Sequence, residues 1–260
     1  GEVVTELPED ARFDSTWVMD TASTALLPPG LPDQDVRGPL VIVDHHAAHD
    51  DVGDLVVRDI DACATGEVVM DLAESLGLRP IPEEAAAPLY AAIVADTGGF
   101  RYAVTTPKVM RLGAELLERG ADAWVTAYEL FEGWSEARLK LLGSILDTVE
   151  LDCDGKVAVL RVTRQMLADS AADDDMVEGM VNYGRMLRGV EVAVLFWEFP
   201  GERGLETKIS LRSRGNADVS VVALALGGGG HRAAAGAQLA ETLQAVETKT
   251  RAKIRELLES

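Results

Sequence analysis

The chain has 260 residues, 47% of them hydrophobic, which is enough for one large domain or two smaller ones with real cores and excludes a disordered tail protein. Its formal net charge of −20 excludes an extended nucleic-acid surface, because binding a long duplex relies on a basic track that neutralises many phosphates. A short anionic substrate, held by a few local cations, stays compatible with that charge.

No apolar run reaches the roughly 20 residues of a bilayer span. The opening Gly1-Glu2-Val3-Val4-Thr5-Glu6 lacks the basic and apolar regions of a signal peptide, so a soluble cytoplasmic protein with no membrane partner is expected. Cys63 and Cys153 are too few for a disulfide framework and read as buried small hydrophobes.

In chain order, Trp17-Val18-Met19-Asp20 and Leu40-Val41-Ile42-Val43-Asp44 are short apolar runs ending in aspartate, the pattern of buried parallel strands that deliver a carboxylate to the sheet edge. Thr65 is expected to cap a helix through Val68, Val69, Leu72 and Leu76 that Gly77 closes. A second helix includes Leu89, Tyr90 and Ile93, with Pro88 marking a kink or a later start, and runs into Ala95-Asp96-Thr97-Gly98-Gly99-Phe100. Thr106-Pro107 opens a third, through Met110, Ala114 and Leu117 to Gly120.

A further helix carries Leu141, Leu142, Ile145, Leu146 and Val149 on one face, and its end near Leu151 is the candidate domain boundary. Beyond it, Val157-Ala158-Val159-Leu160, Glu191 to Phe196 and Lys208-Ile209-Ser210-Leu211 are strand-like and suggest a smaller α+β domain. Asp173-Asp174-Asp175 reads as a solvated helix start.

Asp20, His45 and Asp96 each close an element, and a single aspartate there reads more readily as a plain terminator than as a ligand. Taken with the pair His45-His46, they make a mixed carboxylate and imidazole set that suits manganese or a similar divalent ion better than calcium. Open α/β sheets bind ligands at the edge where these residues fall. Gly227 to Gly230, followed by His231, can bring backbone amides close to an anion, although a plain flexible turn fits four glycines equally well. His49 reads as a solvated surface histidine.

Val43-Asp44-His45-His46, Ala95-Asp96-Thr97-Gly98-Gly99-Phe100-Arg101-Tyr102 and Gly227-Gly228-Gly229-Gly230-His231 resemble, in order and spacing, the DHH phosphoesterase family with its DHH-associated C-terminal domain. Similarity is greatest to its stand-alone cytosolic members, nano-RNases and phosphatases of 3′-phosphoadenosine 5′-phosphate, some of which hydrolyse linear or cyclic diadenylates. The resemblance implies an α/β fold: a parallel-sheet catalytic domain at residues 1–133, a linker helix at 134–151 and a smaller α+β substrate-binding domain at 152–260. It implies two manganese ions, with magnesium or cobalt as alternatives.

Carried over by position, Asp20 would bridge the two metals, with His45 and Asp96 completing the second metal's ligands. His46 would contact the scissile phosphate, and Asp44 would orient the imidazoles. Arg212, Ser213, Gly228, Gly229, Gly230 and His231 would hold the substrate's terminal phosphate and nucleotide, with Arg101 a weaker candidate. Short oligoribonucleotides such as 5′-pApA, or small nucleotides, would be the partners, and a homodimer is compatible.

One departure stands out. The family's first motif, a strand ending in His or Asp before an Asp-x-Asp-x-x-Gly-Ser-like turn, has no match in residues 1–18, where Asp10 and Asp14 lack the pattern. The expectation is a truncated first αβ unit carrying at best half of a two-metal site; the alternative is a catalytically incomplete nucleotide-binding module.

Overall fold

The computed structural model describes residues 11–21, 27, 31–46, 52–201 and 204–259, so that Asp10 and His49 lie outside the described residues. The chain divides into two compact units, residues 1–133 and 134–260. Among the described residues no helix is long and apolar enough to cross a membrane.

The first unit opens with β1 (Thr16–Met19), α1 (Gln34–Arg37), β2 (Leu40–Asp44) and β3 (Leu55–Arg58). The three strands form a parallel sheet in the order β1-β2-β3. Every residue of the central β2 is buried, which is why it reads as an unbroken apolar run rather than an alternation. Both β1 and β2 end at the same sheet edge, Met19 opposite Val43, and that register places Asp20 beside the start of Asp44-His45-His46.

Four helices follow: α2 (Thr65–Ser75), α3 (Glu83–Asp96), α4 (Pro107–Glu118) and α5 (Ala123–Phe131). Met70, Tyr90, Ile93, Val109, Leu112 and Leu116 form their core. Thr65 is not the cap expected of it: Ala64 holds the N-cap position, and the Thr65 hydroxyl is spent elsewhere. α3 starts at Glu83 and accommodates Pro88 inside, so the proline marks no later start. α4 begins as expected, with the Thr106 side chain accepting from Val109 N. It buries Val109, Leu112 and Leu116 and leaves Met110 and Leu117 exposed.

The second unit comprises α6 (Glu136–Leu146), β4 (Glu150–Asp152), β5 (Val157–Val162), α7 (Arg164–Ser170), α8 (Val181–Arg185), β6 (Val192–Gly201), β7 (Gly204–Ser213), α9 (Val219–Ala225), β8 (Gly229–His231), β9 (Ala234–Leu239) and α10 (Leu243–Glu259). Its sheet runs β4-β5-β6-β7-β9-β8, with β5 and β6 parallel and the other pairs antiparallel. Val157, Val159, Val194 and Phe196 pack on one face with Val222, Val246 and Ile254 from α9 and α10. Ala158, Leu160, Ala193 and Leu195 pack on the other with Leu141 and Ile145 of α6 and with Leu167 and Val181. The helix read as a linker thus contributes two wholly buried side chains to this core. Asp174 starts a short 3-10 turn and pairs with Arg164.

Candidate active site

Asp20 follows β1 with φ 61°, a left-handed conformation that aspartate tolerates better than most residues. Its amide donates to the Val43 carbonyl at 2.9 Å, and its Oδ1 accepts the Thr65 hydroxyl at 2.7 Å. His45 Nε2 lies 3.6 Å from Asp20 Oδ1 and 3.6 Å from Asp96 Oδ2. His46 Nδ1 lies 3.8 Å from Asp20 Oδ1, and Asp20, His45 and His46 can each offer one ligand atom within 4.8 Å of the others. Three elements, the ends of β1, β2 and α3, therefore bring Asp20, His45 and Asp96 together.

His45 Nδ1 faces the Ala62 carbonyl at 3.3 Å. Because a carbonyl only accepts, this contact selects the tautomer with hydrogen on Nδ1 and leaves the Nε2 lone pair toward the two carboxylates. Asp44 is wholly buried and differs from its expected role in one respect: it orients only one of the imidazoles. Its Oδ1 accepts from His46 Nδ1 at 2.5 Å and from the amides of His45 and His46 at 2.7 and 3.2 Å, but the His45 ring is held by Ala62 instead.

Burial alone would raise the Asp44 carboxyl, yet the hydrogen bonds from His46 and from the His45 amide hold it below the usual carboxylate range. Asp96 is pushed the other way by desolvation, relieved partly by His45 and worsened by the charge of Asp20. Two carboxylates crowded on one imidazole lone pair are a site with surplus negative charge. Each carboxylate oxygen, 3.6 Å from His45 Nε2, stands at the upper end of the spacing of two donors on one divalent ion, since donors about 2.0–2.2 Å from a metal sit about 3–3.6 Å from one another. The Asp20 and Asp96 side chains are 57% and 43% exposed, so an ion can reach them. The Cys63 thiol nearby is pushed up to about 12 by burial and by Glu67 and Asp96, which leaves it inert as a thiolate nucleophile.

The turn after Asp96 is built by its glycines. Gly98, Gly99 and Phe100 all have positive φ, at 59°, 70° and 61°, and a Cβ on Gly98 would fall 2.3 Å from the Tyr102 ring. The buried Thr97 hydroxyl closes the turn by accepting from Phe100 N at 3.0 Å. Arg101 is engaged on the same turn: its Nε donates to the Gly98 carbonyl and its guanidinium lies 5.6 Å over the Phe131 ring.

In the second unit the glycine stretch is only partly a loop. The amides of Gly227 and Gly228 close the end of α9 by donating to Leu224 and Ala223 carbonyls, so those two are not available to an anion. Gly229 to His231 form edge strand β8. A Cβ on Gly228 would meet the Gly236 carbonyl at 2.1 Å, and one on Gly230 the Ala235 Cα at 2.5 Å, whereas Gly229 is open. Close backbone approach explains Gly228 and Gly230.

His231 pairs with Ala234, and Ala234 with Arg212, so His231 and Arg212 stand in one row on one face, two strand spacings or about 10 Å apart. Ser213, one residue on, points to the opposite face, where it is buried and its hydroxyl donates to the Arg232 carbonyl. The structure does not bring it to the Arg212 face. Sequence reasoning missed the Ala62 carbonyl that faces His45, which no local pattern announces, and it mistook Thr65, whose hydroxyl donates to Asp20.

Residues 154–260 match the DHHA1 domain family. The chain is 38% identical over 205 residues to the bifunctional oligoribonuclease and PAP phosphatase NrnA of Thermus thermophilus, a match covering 78% of this chain and 60% of that protein. It is 28% identical over 208 residues to the protein of the same name from Bacillus subtilis, covering 77% and 62%. The chain thus spans about three fifths of the length of these curated relatives. Among solved structures, an exopolyphosphatase-related protein from Bacteroides fragilis matches with a TM-score of 0.76 at 25% identity, over 85% of this chain and 66% of that one. The chain thus closes its parallel sheet with an Asp-His-His run, matches the DHHA1 domain family over residues 154–260, and is similar in sequence to these two NrnA proteins.

Proposed function

We propose that the chain hydrolyses short oligoribonucleotides and 3′-phosphoadenosine 5′-phosphate, with a divalent metal, manganese by preference, held by Asp20, His45 and Asp96. The observation that carries this reading is the position of His45 Nε2, 3.6 Å from carboxylates on two other elements, with its Nδ1 already committed to Ala62. The names of the relatives, oligoribonuclease and PAP phosphatase, supply the substrate class.

When bound, the ion supplies Lewis-acid polarisation of a phosphoryl oxygen and neutralises charge on it. His46, whose Nδ1 is fixed on Asp44, turns its other ring nitrogen to the substrate phosphate. Residues 1–133 act as the catalytic half. Within residues 152–260, Arg212 and His231, which share a sheet face, are the side chains for a terminal phosphate. The net charge of −20 disfavours long polymers and leaves short nucleotides, cytoplasmic metabolites, as substrates.

Titration calorimetry with manganese tests the site. Binding that falls at least tenfold in Asp96→Asn agrees with the reading; equal affinity in wild type and Asp96→Asn contradicts it.

A further inference from the structure

Glu67 is the third residue of α2, where a glutamate ordinarily reaches back to the N-cap amide of its own helix. Here it reaches one residue further. Its Oε2 accepts the amide of Cys63 at 2.7 Å, and its Oε1 lies 2.9 Å from Lys108 Nζ on α4. Its side chain is 7% exposed, so this is a buried, paired carboxylate rather than a surface charge. Lys108 is itself held between Glu67 and Asp71, the latter at 2.6 Å.

The amide of Cys63 and the carbonyl of Ala62 belong to one peptide group, planar and trans, with N–H and C=O pointing in opposite directions. That carbonyl is the acceptor for His45 Nδ1 at 3.3 Å. Glu67, the 62–63 peptide and the His45 ring therefore form one continuous hydrogen-bonded chain. A carboxylate on the N–H side polarises the peptide and makes its carbonyl a stronger acceptor, in the cooperative sense expected of such chains at low dielectric.

We propose that Glu67 is a positioning residue that acts on His45 through the Ala62–Cys63 peptide, fixing the Nδ1–H tautomer and presenting Nε2 to the metal. Histidine ligands commonly rest directly on a carboxylate or a carbonyl; here the carboxylate stands one peptide behind the carbonyl, and Lys108 keeps it in place. The inference rests on the proposed role of His45 as a metal ligand, but its first readout does not.

The test labels the full chain with ¹⁵N-histidine and records two-bond proton–nitrogen spectra without metal, assigning His45 by its loss in His45→Asn. Wild type and Lys108→Arg are expected to show the single Nδ1–H form at His45. Glu67→Ala is expected to show a mixture of tautomers and a loss of manganese affinity of about 10–100-fold, the range for removing an outer partner of a metal-bound histidine. Glu67→Gln, which keeps the size and an acceptor but not the charge, gives a smaller shift in the same direction and serves if Glu67→Ala does not fold. A His45 that stays wholly Nδ1–H in both Glu67 variants, or manganese affinity within twofold of wild type in both, overturns the inference. A tautomer mixture in a protein whose wild type binds no manganese would uphold the relay and defeat the metal reading instead.

Discussion

Replacing Asp44 by asparagine changes almost no volume and removes one buried charge at the centre of the site. Asp44 Oδ1 takes three hydrogen bonds, from His46 Nδ1 and two amides, while Oδ2 makes none among the described residues. If the asparagine oxygen keeps the Oδ1 position, its NH₂ falls where no acceptor stands among the described residues, which costs about 1–3 kcal/mol. The bond to His46 also drops from a charge-assisted one, about 1.5–3 kcal/mol, to a neutral one, about 0.5–1.5 kcal/mol. The flipped amide sets donors against three donors and is worse. Although burial opposes it, the hydrogen bonds hold the Asp44 carboxyl low, so folding favours the ionised form that asparagine lacks. Asp44→Asn should therefore destabilise by about 2–4 kcal/mol, read as a lower urea midpoint at unchanged slope. A change under about 0.5 kcal/mol, the scatter of neutral surface substitutions, would refute this account of how Asp44 is held.

Gly228→Ala should cost about 1–3 kcal/mol, because its Cβ lands 2.1 Å from a backbone carbonyl, whereas Gly229→Ala, with nothing near, should be neutral; equal thermal midpoints would contradict the close-approach reading. Gly98→Ala should be destabilising and should displace Tyr102, seen as a changed tyrosine signal in near-ultraviolet circular dichroism, since both its φ of 59° and its 2.3 Å approach to the ring oppose a side chain. Glu150 is held at about 2 by hydrogen bonds from Arg251 and Arg161, and Asp152 at about 2, against burial, by the Cys153 amide, Arg255 and Arg251. Both folded values lie below the unfolded ones of 4.5 and 3.8, so the stability they contribute is present above about pH 5 and is lost as pH falls toward 2. Glu150 is 48% exposed, and solvent screening limits the pair to about 2 kcal/mol in all. Stability measured from pH 6 to 2.5 should fall less steeply in Arg251→Met than in wild type, and parallel curves would disprove the linkage.

What the sequence exposed was whatever depends on a local run. The unbroken apolar β2 announced a buried parallel strand, and the Asp-His-His at its end, the Asp96 turn with its paired glycines and the Thr106-Pro107 helix start all lie where their local chemistry puts them. What escaped it depends on partners far along the chain. β3 has four residues, three of them exposed, and α5 buries none, so neither shows a clean period. Thr65 looked like a cap because threonine at a helix start ordinarily caps; its hydroxyl instead crosses 45 residues to Asp20. The four glycines looked like one anion loop because sequence cannot tell a glycine needed for close packing from one needed for a ligand, and here two amides close a helix and two positions are fixed by a neighbouring strand. Strand alternation then separates Arg212 from Ser213, a consequence visible only once β7 has a register.

The most direct test of the central claim is to follow AMP release from 5′-pApA by chromatography, with manganese and with chelator, in wild type and in Asp96→Asn. The account predicts release that requires the metal, is abolished with chelator and falls at least tenfold in the variant. Release that persists without metal, or no release by wild type at saturating manganese, would contradict it.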